Sequence, residues 1–324
     1  MKLVVQIPCF NEEDSLKKVL SEIPKKIKEI DEIEVQIIDD GSTDKTVEIA
    51  KKFGVTRIIS HKKNQGLGMS FSDGVEAALI AGADILVNTD GDNQYPGKYI
   101  KDLVAPIIKG EADIVIADRQ TQKIKHFSSQ KKRLQRSGSF IVRILSGTRV
   151  ADAVSGFRAY SRKSLLELNV MTRFSYCIDT IVQAGKKGLK IVSVPIEVNP
   201  PTRESRLFAN IWQHVEKSSI NLLRVFAVYE PFKTFFIIAA ILAIPALFFL
   251  LRFIYFYLFV PMEAKGHIQS LVFGSAFLVC SVQIFALGIL ADLVSINRRL
   301  MEKILKMEKQ NPLPFGRSPL KRGI

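Results

Sequence analysis

The sequence predicts an α/β domain built on a mostly parallel sheet, followed by a hairpin of two membrane-spanning helices. Three observations carry that prediction. Short apolar runs alternate with helical patterns through the first half of the chain, the rhythm of βαβ units. Polar clusters follow several of those runs, at the strand ends where open α/β sheets bind ligands. Near the C-terminus, two long stretches carry almost no charge.

Taken in order, strands are expected over residues 3–7, 35–39, 57–59, 85–88 and 113–117, with helices over 14–23, 45–53, 69–81 and 98–109. Beyond residue 120 the rhythm loosens. Residues 128–145 read as a basic helix carrying Lys131, Lys132, Arg133 and Arg136, and further strands fall at 157–161 and 191–194 around a helix over 176–187. From 207 to 228, Leu207, Ile211, Val215, Leu222 and Phe226 recur at helical spacing. Just ahead of an apolar span, such a stretch reads as an interfacial helix. Pro231 breaks it from the first span. The tail after Gln310 reads as disordered.

Residues 234–251 hold no charge, and after Arg252 the apolar run resumes to Val260; a second run covers 271–291. Each is roughly twenty residues, the length that crosses a ~30 Å hydrocarbon core as a helix. Only 261–270 separates them, so both flanks lie on one side. Those flanks carry Lys217, Arg224 and Lys233 before the hairpin, and Arg298, Arg299, Lys303 and Lys306 after it. The positive-inside rule then makes the N-terminal domain and the tail cytoplasmic. Met1 to Pro8 read as a strand entering a polar loop, so no leader is expected. Arg252 is costly inside a span; it snorkels to the far headgroups or pairs within a homo-oligomer.

The three cysteines, Cys9, Cys177 and Cys280, are scattered and suggest no disulfide framework. A formal net charge of +14 has two readings. Nucleic-acid binding is not supported by any motif. Attraction to anionic lipid and to phosphate-bearing substrates explains the charge with fewer assumptions.

Asp90-Gly91-Asp92 is the strongest local signal. Two carboxylates one residue apart, just past a buried strand, need a cation or several donors. Mg²⁺ or Mn²⁺ fits, because such ions bind through a few carboxylates and substrate phosphates. Gln94 can supply or orient a further oxygen. A polar turn is the plainer alternative. In Asp39-Asp40-Gly41-Ser42-Thr43-Asp44, Ser42 or Asp44 caps the following helix, while Asp39 and Asp40 face the cleft as candidates for a nucleoside base or ribose. Asn64-Gln65-Gly66-Leu67-Gly68 approaches a phosphate or simply joins strand to helix. A dinucleotide fingerprint fails: the first turn reads Pro8-Cys9-Phe10-Asn11-Glu12, Gly66 and Gly68 come too late, and Phe71 occupies the third glycine position.

These residues, in this order, resemble the inverting family 2 glycosyltransferases, in the branch of dolichol-phosphate mannose synthases and polyprenyl-phosphate hexosyltransferases. The resemblance spans about residues 1–230 and adds Ser155-Gly156-Phe157-Arg158 and Val194-Pro195-Ile196, followed by Arg203 and Arg206. It implies a GT-A (Rossmann-like) fold over 1–205, interfacial helices over 206–231, two transmembrane helices over 232–296 and a cytoplasmic tail over 297–324. By the same resemblance, Pro8, Glu12 and Asp39 hold the nucleoside of a UDP- or GDP-hexose. Asp90, Asp92 and Gln94 hold the metal, Arg119 and Arg206 meet the donor phosphates, and Arg133 and Ser137 take the phosphate of a polyprenyl acceptor. Asp92, Arg119, Arg133 and Arg206 carry the catalysis.

A lipid monophosphate, with a second pKa near ~6, is already ionised at neutral pH. No general base is required, so Asp179 is either a base or an ion-pairing or capping residue. Two rivals arise from the same residues. A processive polysaccharide synthase would carry Q-x-x-R-W, but Gln213 is followed by His214, Val215, Glu216 and Lys217. A nucleotide-binding scaffold without turnover has no need of the metal constellation. A family 2 enzyme acting on a saccharide acceptor remains the alternative.

Overall fold

Four strands of the N-terminal part end where their apolar runs meet an acid, an amide or a thiol, at Cys9, Asp39, Asn88 and Asp118. The computed structural model describes residues 1–122, 129–170, 172, 175–200, 220, 224, 226–259 and 268–310. The chain divides into two compact units, Met1–Lys217 with Lys306–Ile324, and Ser218–Leu305.

In the first unit the described residues form a seven-stranded sheet from β1 (Lys2–Cys9), β2 (Glu32–Asp39), β3 (Arg57–Ser60), β4 (Ile85–Asn88), β5 (Ile114–Asp118), β6 (Arg158–Ser161) and β7 (Ile191–Pro195). Their order is β3-β2-β1-β4-β6-β5-β7. Only β6 runs against its neighbours, β4 and β5. Helices α1 (Leu16–Glu22), α2 (Thr46–Lys52), α3 (Leu67–Ile80) and α4 (Ile100–Ile108) connect the parallel strands, α4 following a short 3-10 turn at Gly97–Tyr99. Helices α5 (Ser129–Ser146), α6 (Arg162–Glu167) and α7 (Cys177–Lys186) complete the unit. Leu3, Val5, Ile7, Ile37, Ile85, Val87, Val115 and Ala159 are wholly buried, as strands covered on both faces require.

The strand and helix expectations hold to within a few residues. β2 starts earlier than its apolar run because Glu32 and Glu34 are paired. Lys2 bridges both (2.9 and 2.8 Å), and Arg57 on β3 bridges Glu34 (2.7 Å). Cross-strand charge pairs of this kind extend a sheet beyond its apolar stretch.

Amides interrupt the core. Gln6 on β1 pairs in register with Gln36 on β2 and with Asn88 on β4. Gln36 Nε2 donates to Gln6 Oε1 (3.0 Å), and Gln6 Nε2 donates to Asn88 Oδ1 (3.0 Å). Asn88 Nδ2 donates in turn to the Tyr176 hydroxyl (2.7 Å) and the Gly156 carbonyl (3.1 Å). All three amides are buried. Their amide nitrogens and the oxygens of Gln6 and Asn88 are partnered, avoiding the roughly 1–3 kcal/mol that each buried orphan group costs; Gln36 Oε1 alone among these atoms has no partner.

The second unit contains α8 (Pro231–Phe259) and α9 (Ile268–Gln310), both long and apolar enough to cross a membrane. Pro231 opens α8, as expected of a residue that has no amide hydrogen to give. The expected span 271–291 lies inside α9, which continues to Gln310, supported by an Arg298–Glu302 pair (3.0 Å) one turn apart. The two helices meet through small residues. Ser270, Gly274, Ser281, Gly288 and Ser295 are the buried positions of α9, and the last four recur every seven residues. A Cβ on Gly274 would fall 2.8 Å from Leu250, and one on Gly288 would fall 2.8 Å from Phe235. Ser281 Oγ donates to the Ala239 carbonyl at 2.9 Å. Close backbone approach through small residues is how helices associate in lipid. Of the expected interfacial stretch only 220, 224 and 226–228 are described, all helical; the tail after Gln310 lies outside the described residues.

Candidate active site

Because β2, β1 and β4 are adjacent, their carboxyl ends bring the predicted acids together. Cys9 pairs with Asp39, and Gln6 pairs with Asn88 two residues before Asp90. Pro8 lies past the last β1–β4 pair, where the ladder needs no further donor. The Cys9 thiol registers what surrounds it. Burial first, then the carboxylates of Glu12, Asp39, Asp44 and Asp90, push it well above its ordinary range. It is a structural thiol, not a nucleophile.

The loops on this edge are cross-laced. Asn11 N donates to Ser42 Oγ (2.9 Å), Glu12 N to Thr46 Oγ1 (2.8 Å), and Ser42 N to Asp39 Oδ1 (2.9 Å). Ser15 Oγ reaches both Glu12 Oε2 (3.0 Å) and the Gly91 carbonyl (2.7 Å). Glu12 is thereby held against the loop that carries Asp90 and Asp92.

Burial and then the Asp92 carboxylate raise Asp90 to about 7; Glu12 adds to the rise, and Arg119 and Arg158 oppose it. Two carboxylates that resist ionising together are short of positive charge. Among the described residues no group of three His, Cys, Asp or Glu side chains is gathered for a metal. A cation held by two carboxylates with its remaining positions on phosphate, as Mg²⁺ and Mn²⁺ are commonly bound, fits this pair. Asp92 Oδ1 also accepts from Gln94 N (3.0 Å), so the acid shapes the turn expected as its plainer role.

Two sequence-distant segments hold that loop. Asn199, beyond β7, donates from its side chain to the Asn93 carbonyl and from its backbone to the Gln94 carbonyl, each at 2.9 Å. Gly156 closes the other side: an added Cβ would meet Asp90 Oδ1 at 3.1 Å and the Tyr176 hydroxyl at 3.2 Å. A side chain there would force Asp90 or Tyr176 to give way by a few tenths of an ångström. Tyr176 donates to the Gly156 carbonyl (2.9 Å) and stacks on Phe71 with centroids 4.1 Å apart. Arg158, fully buried, donates to the carbonyls of Ala153, Ser155 and Cys177 and to Thr180 Oγ1, between 2.7 and 3.0 Å. Sequence reasoning gave none of Asn88, Asp152, Tyr176 or Asn199 a role; the one available signal was the run of amides at apolar strand positions.

Arg119 follows β5 and is committed to a partner. Its Nε and Nη2 donate to Asp152 at 2.6 and 3.0 Å, with both side chains largely buried. Burial raises Asp152, but Arg119 outweighs it and holds the carboxyl below the usual range.

Two expectations are corrected. Asp40 does not present a free carboxylate to a nucleoside: Oδ1 accepts from Gln65 N (2.8 Å), Oδ2 accepts from Gly66 N (2.9 Å), and His61 Nδ1 lies 2.7 Å from Oδ1. His61 Nε2 lies in turn 2.9 Å from Asp73 on α3. By the same bonds, those two amides of the Asn64–Gly68 loop serve an internal carboxylate rather than a phosphate. Asp179 is buried and accepts from Gln183 Nε2 (3.1 Å). Arg133 and Ser137 are exposed on one side of α5. Arg203 and Arg206 lie outside the described residues.

Residues 4–168, just over half of the chain, match the model of glycosyl transferase family 2. The chain is 30% identical to a UDP-N-acetylglucosamine–dolichyl-phosphate N-acetylglucosaminyltransferase of Methanococcus voltae, over 59% of this chain and 83% of the relative. It is 26% identical to an undecaprenyl-phosphate mannosyltransferase of Micrococcus luteus, over 69% of this chain and 93% of the relative. A glucosyl-3-phosphoglycerate synthase of Mycobacterium tuberculosis, solved with Mn²⁺ and UDP, superposes with a TM-score of 0.53 at 21% identity, covering 70% of this chain and 78% of that one. That likeness establishes the GT-A fold. With the acids it predicts gathered on the sheet's carboxyl edge, the chain belongs to glycosyl transferase family 2.

Proposed function

We propose that this protein transfers a hexose from a nucleotide-sugar to a polyprenyl phosphate at the cytoplasmic face of a membrane, with inversion at the anomeric carbon. The observation that carries the reading is the Asp90–Asp92 pair, short of positive charge beside Arg119. The named relatives act on dolichyl or undecaprenyl phosphate, and α8 and α9 supply the apolar spans such an acceptor calls for.

In this reading Pro8, Glu12 and Asp39 receive the nucleoside. Asp90 and Asp92, with Gln94, hold a Mg²⁺ or Mn²⁺ ion, which offsets charge growing on the departing diphosphate. Arg119, fixed by Asp152, adds a preorganised positive charge on the same edge, and Arg206 is assigned the same charge role. Arg133 and Ser137 hold the attacking phosphate in line. That phosphate needs no deprotonation at neutral pH, so the chemistry rests on charge and positioning, and Asp179 stays a structural acid.

The test is sugar transfer by the detergent-solubilised protein given labelled UDP- and GDP-hexoses, Mn²⁺ or Mg²⁺ and a polyprenyl phosphate. Label in an acid-labile lipid, lost on adding EDTA, is the expected result and names the donor. Label reaching only a saccharide would overturn the acceptor while keeping the fold and metal site.

A further inference from the structure

Helix α6 is six residues long and ends on an acid, Glu167. Both features are unfavourable. So short a helix has little stability of its own, and a carboxylate in the last turn opposes the helix dipole. The end of α6 is fastened instead by three lysines from elsewhere in the sheet unit. Lys187, just past α7, donates to the Glu167 carbonyl. Lys309 donates to the Leu168 carbonyl (3.0 Å) and to Asn169 Oδ1 (2.9 Å). Lys306 pairs with the Glu167 carboxylate itself. Lys306 and Lys309 stand near the end of α9, three residues apart and so on one helix face. The chain from Lys306 onward belongs to the sheet unit. Cations on the orphan carbonyls of a helix end satisfy groups that no intrahelical partner reaches.

The fastened segment leads to the acidic edge. Asn169 exchanges two bonds with Gln183 of α7: its backbone N–H donates to Oε1 (3.0 Å), and Gln183 Nε2 donates to its carbonyl (2.7 Å). The same Nε2 donates to Asp179 (3.1 Å). Farther along, the Thr172 carbonyl lies so close to Gly68, at the start of α3, that a Cβ there would stand 1.9 Å away. Tyr176 then stacks on Phe71 and closes on Gly156, beside Asp90. An isolated exposed ion pair contributes little. This one differs, because two lysines of one helix face grip three successive residues of a connector whose far end borders Asp90. We propose that Lys306 and Lys309 form a strap. They are positioning residues that hold the α6–α7 connector, and with it Tyr176 and α7, against the Asp90 loop. The end of α9 is then part of the active-site scaffold. The inference deepens the proposed function and rests on it only for its kinetic consequence: a loosened Tyr176 weakens the hold of the acidic edge on the donor.

Amide hydrogen exchange on the full chain in detergent, without substrate, reads the strap directly. Its failure is therefore separable from failure of the transferase reading. Lys306→Glu, Glu167→Lys and Lys309→Met should each speed exchange in peptides covering 167–176 by roughly threefold, the size of a lost ion pair at this exposure. Peptides covering β1 and β4 should not change. The charge-swapped protein, Lys306→Glu with Glu167→Lys, should return to the wild-type rate. Unchanged exchange in the single variants overturns the strap, as does a swap that rescues nothing. A rise spread equally over β1 and β4 assigns the lysines to folding instead. In the transfer assay the single variants should raise donor KM roughly threefold, with kcat within about twofold of wild type, and the swap should restore both. Faster exchange at 167–176 with donor KM unaltered overturns the positioning role.

Discussion

The sheet unit and the helical hairpin bury opposite kinds of residue. In the sheet, Leu, Ile and Val are inside, and the amides Gln6, Gln36 and Asn88 among them bond to one another across the strands. In the hairpin, the buried positions of α9 are Ser and Gly, while Phe273, Val279, Leu287 and Leu290 face outward. The difference follows from the surroundings. Against water, withdrawing apolar surface contributes ~25 cal/mol per Å², and buried polar pairs then select one arrangement. Against lipid that term vanishes, and close contact between backbones takes its place. The two halves should therefore fail by different substitutions.

The largest effect is expected at the acidic edge. Asp92→Ala should lower turnover by about 10³-fold with melting in detergent little changed; unaltered turnover would remove the metal assignment. Next comes Asp152→Asn. Removing one charge of a buried ion pair costs about 3 kcal/mol, read as a lower melting temperature, with donor KM rising as Arg119 loses its orientation. The pH dependence has a definite sign. Because Arg119 holds Asp152 below the usual aspartate value, the pair's stabilisation is complete above the unfolded pKa of ~4 and lost as pH falls through the lower folded value. The gap between wild type and Asp152→Asn should accordingly narrow in acid.

In the hairpin, Gly274→Leu should destabilise by about 2 kcal/mol, since its side chain must enter the space of Leu250. Leu287→Ala, on the outward face, should change melting by less than about 0.5 kcal/mol. Equal effects would mean that the hairpin packs by apolar burial after all. A last pair of variants, with the smallest net effect expected once all three amides are replaced, separates polar selection from stability. Asn88→Leu alone leaves Gln6 short of a partner and should cost about 2 kcal/mol. The triple variant Gln6→Met, Gln36→Met, Asn88→Leu should recover most of that loss, because removing both sides of a buried hydrogen bond is far cheaper than removing one.

Legibility in the sequence followed the range of the interactions. Strands β1 and β4 and the helices between them were readable because apolar periodicity is local. Asp90 and Asp92 were readable because they adjoin a strand end. The early start of β2 was hidden, since Glu32 and Glu34 look like loop residues until Lys2 and Arg57 are beside them. The Arg119–Asp152 pair joins residues 33 apart in sequence, and nothing near Arg119 announces its partner. Asp40 was misread for a related reason: the amides that occupy it, Gln65 and Gly66, come from the far side of β3. The seven-residue spacing of small residues in α9 was present in the sequence, masked by the hydropathy of its surroundings.

The three amides that cross the sheet also bear on how the chain finds its alignment. Side chains alternate faces along a strand, so a one-residue slip of β1 against β2 would send Gln6 to the opposite layer and take its Oε1 away from Gln36. Apolar neighbours tolerate such a slip, since one buried Ile or Val packs much like the next. An amide does not. Gln36, Gln6 and Asn88 therefore act as alignment marks that penalise a slipped pairing of β1 with β2 or β4.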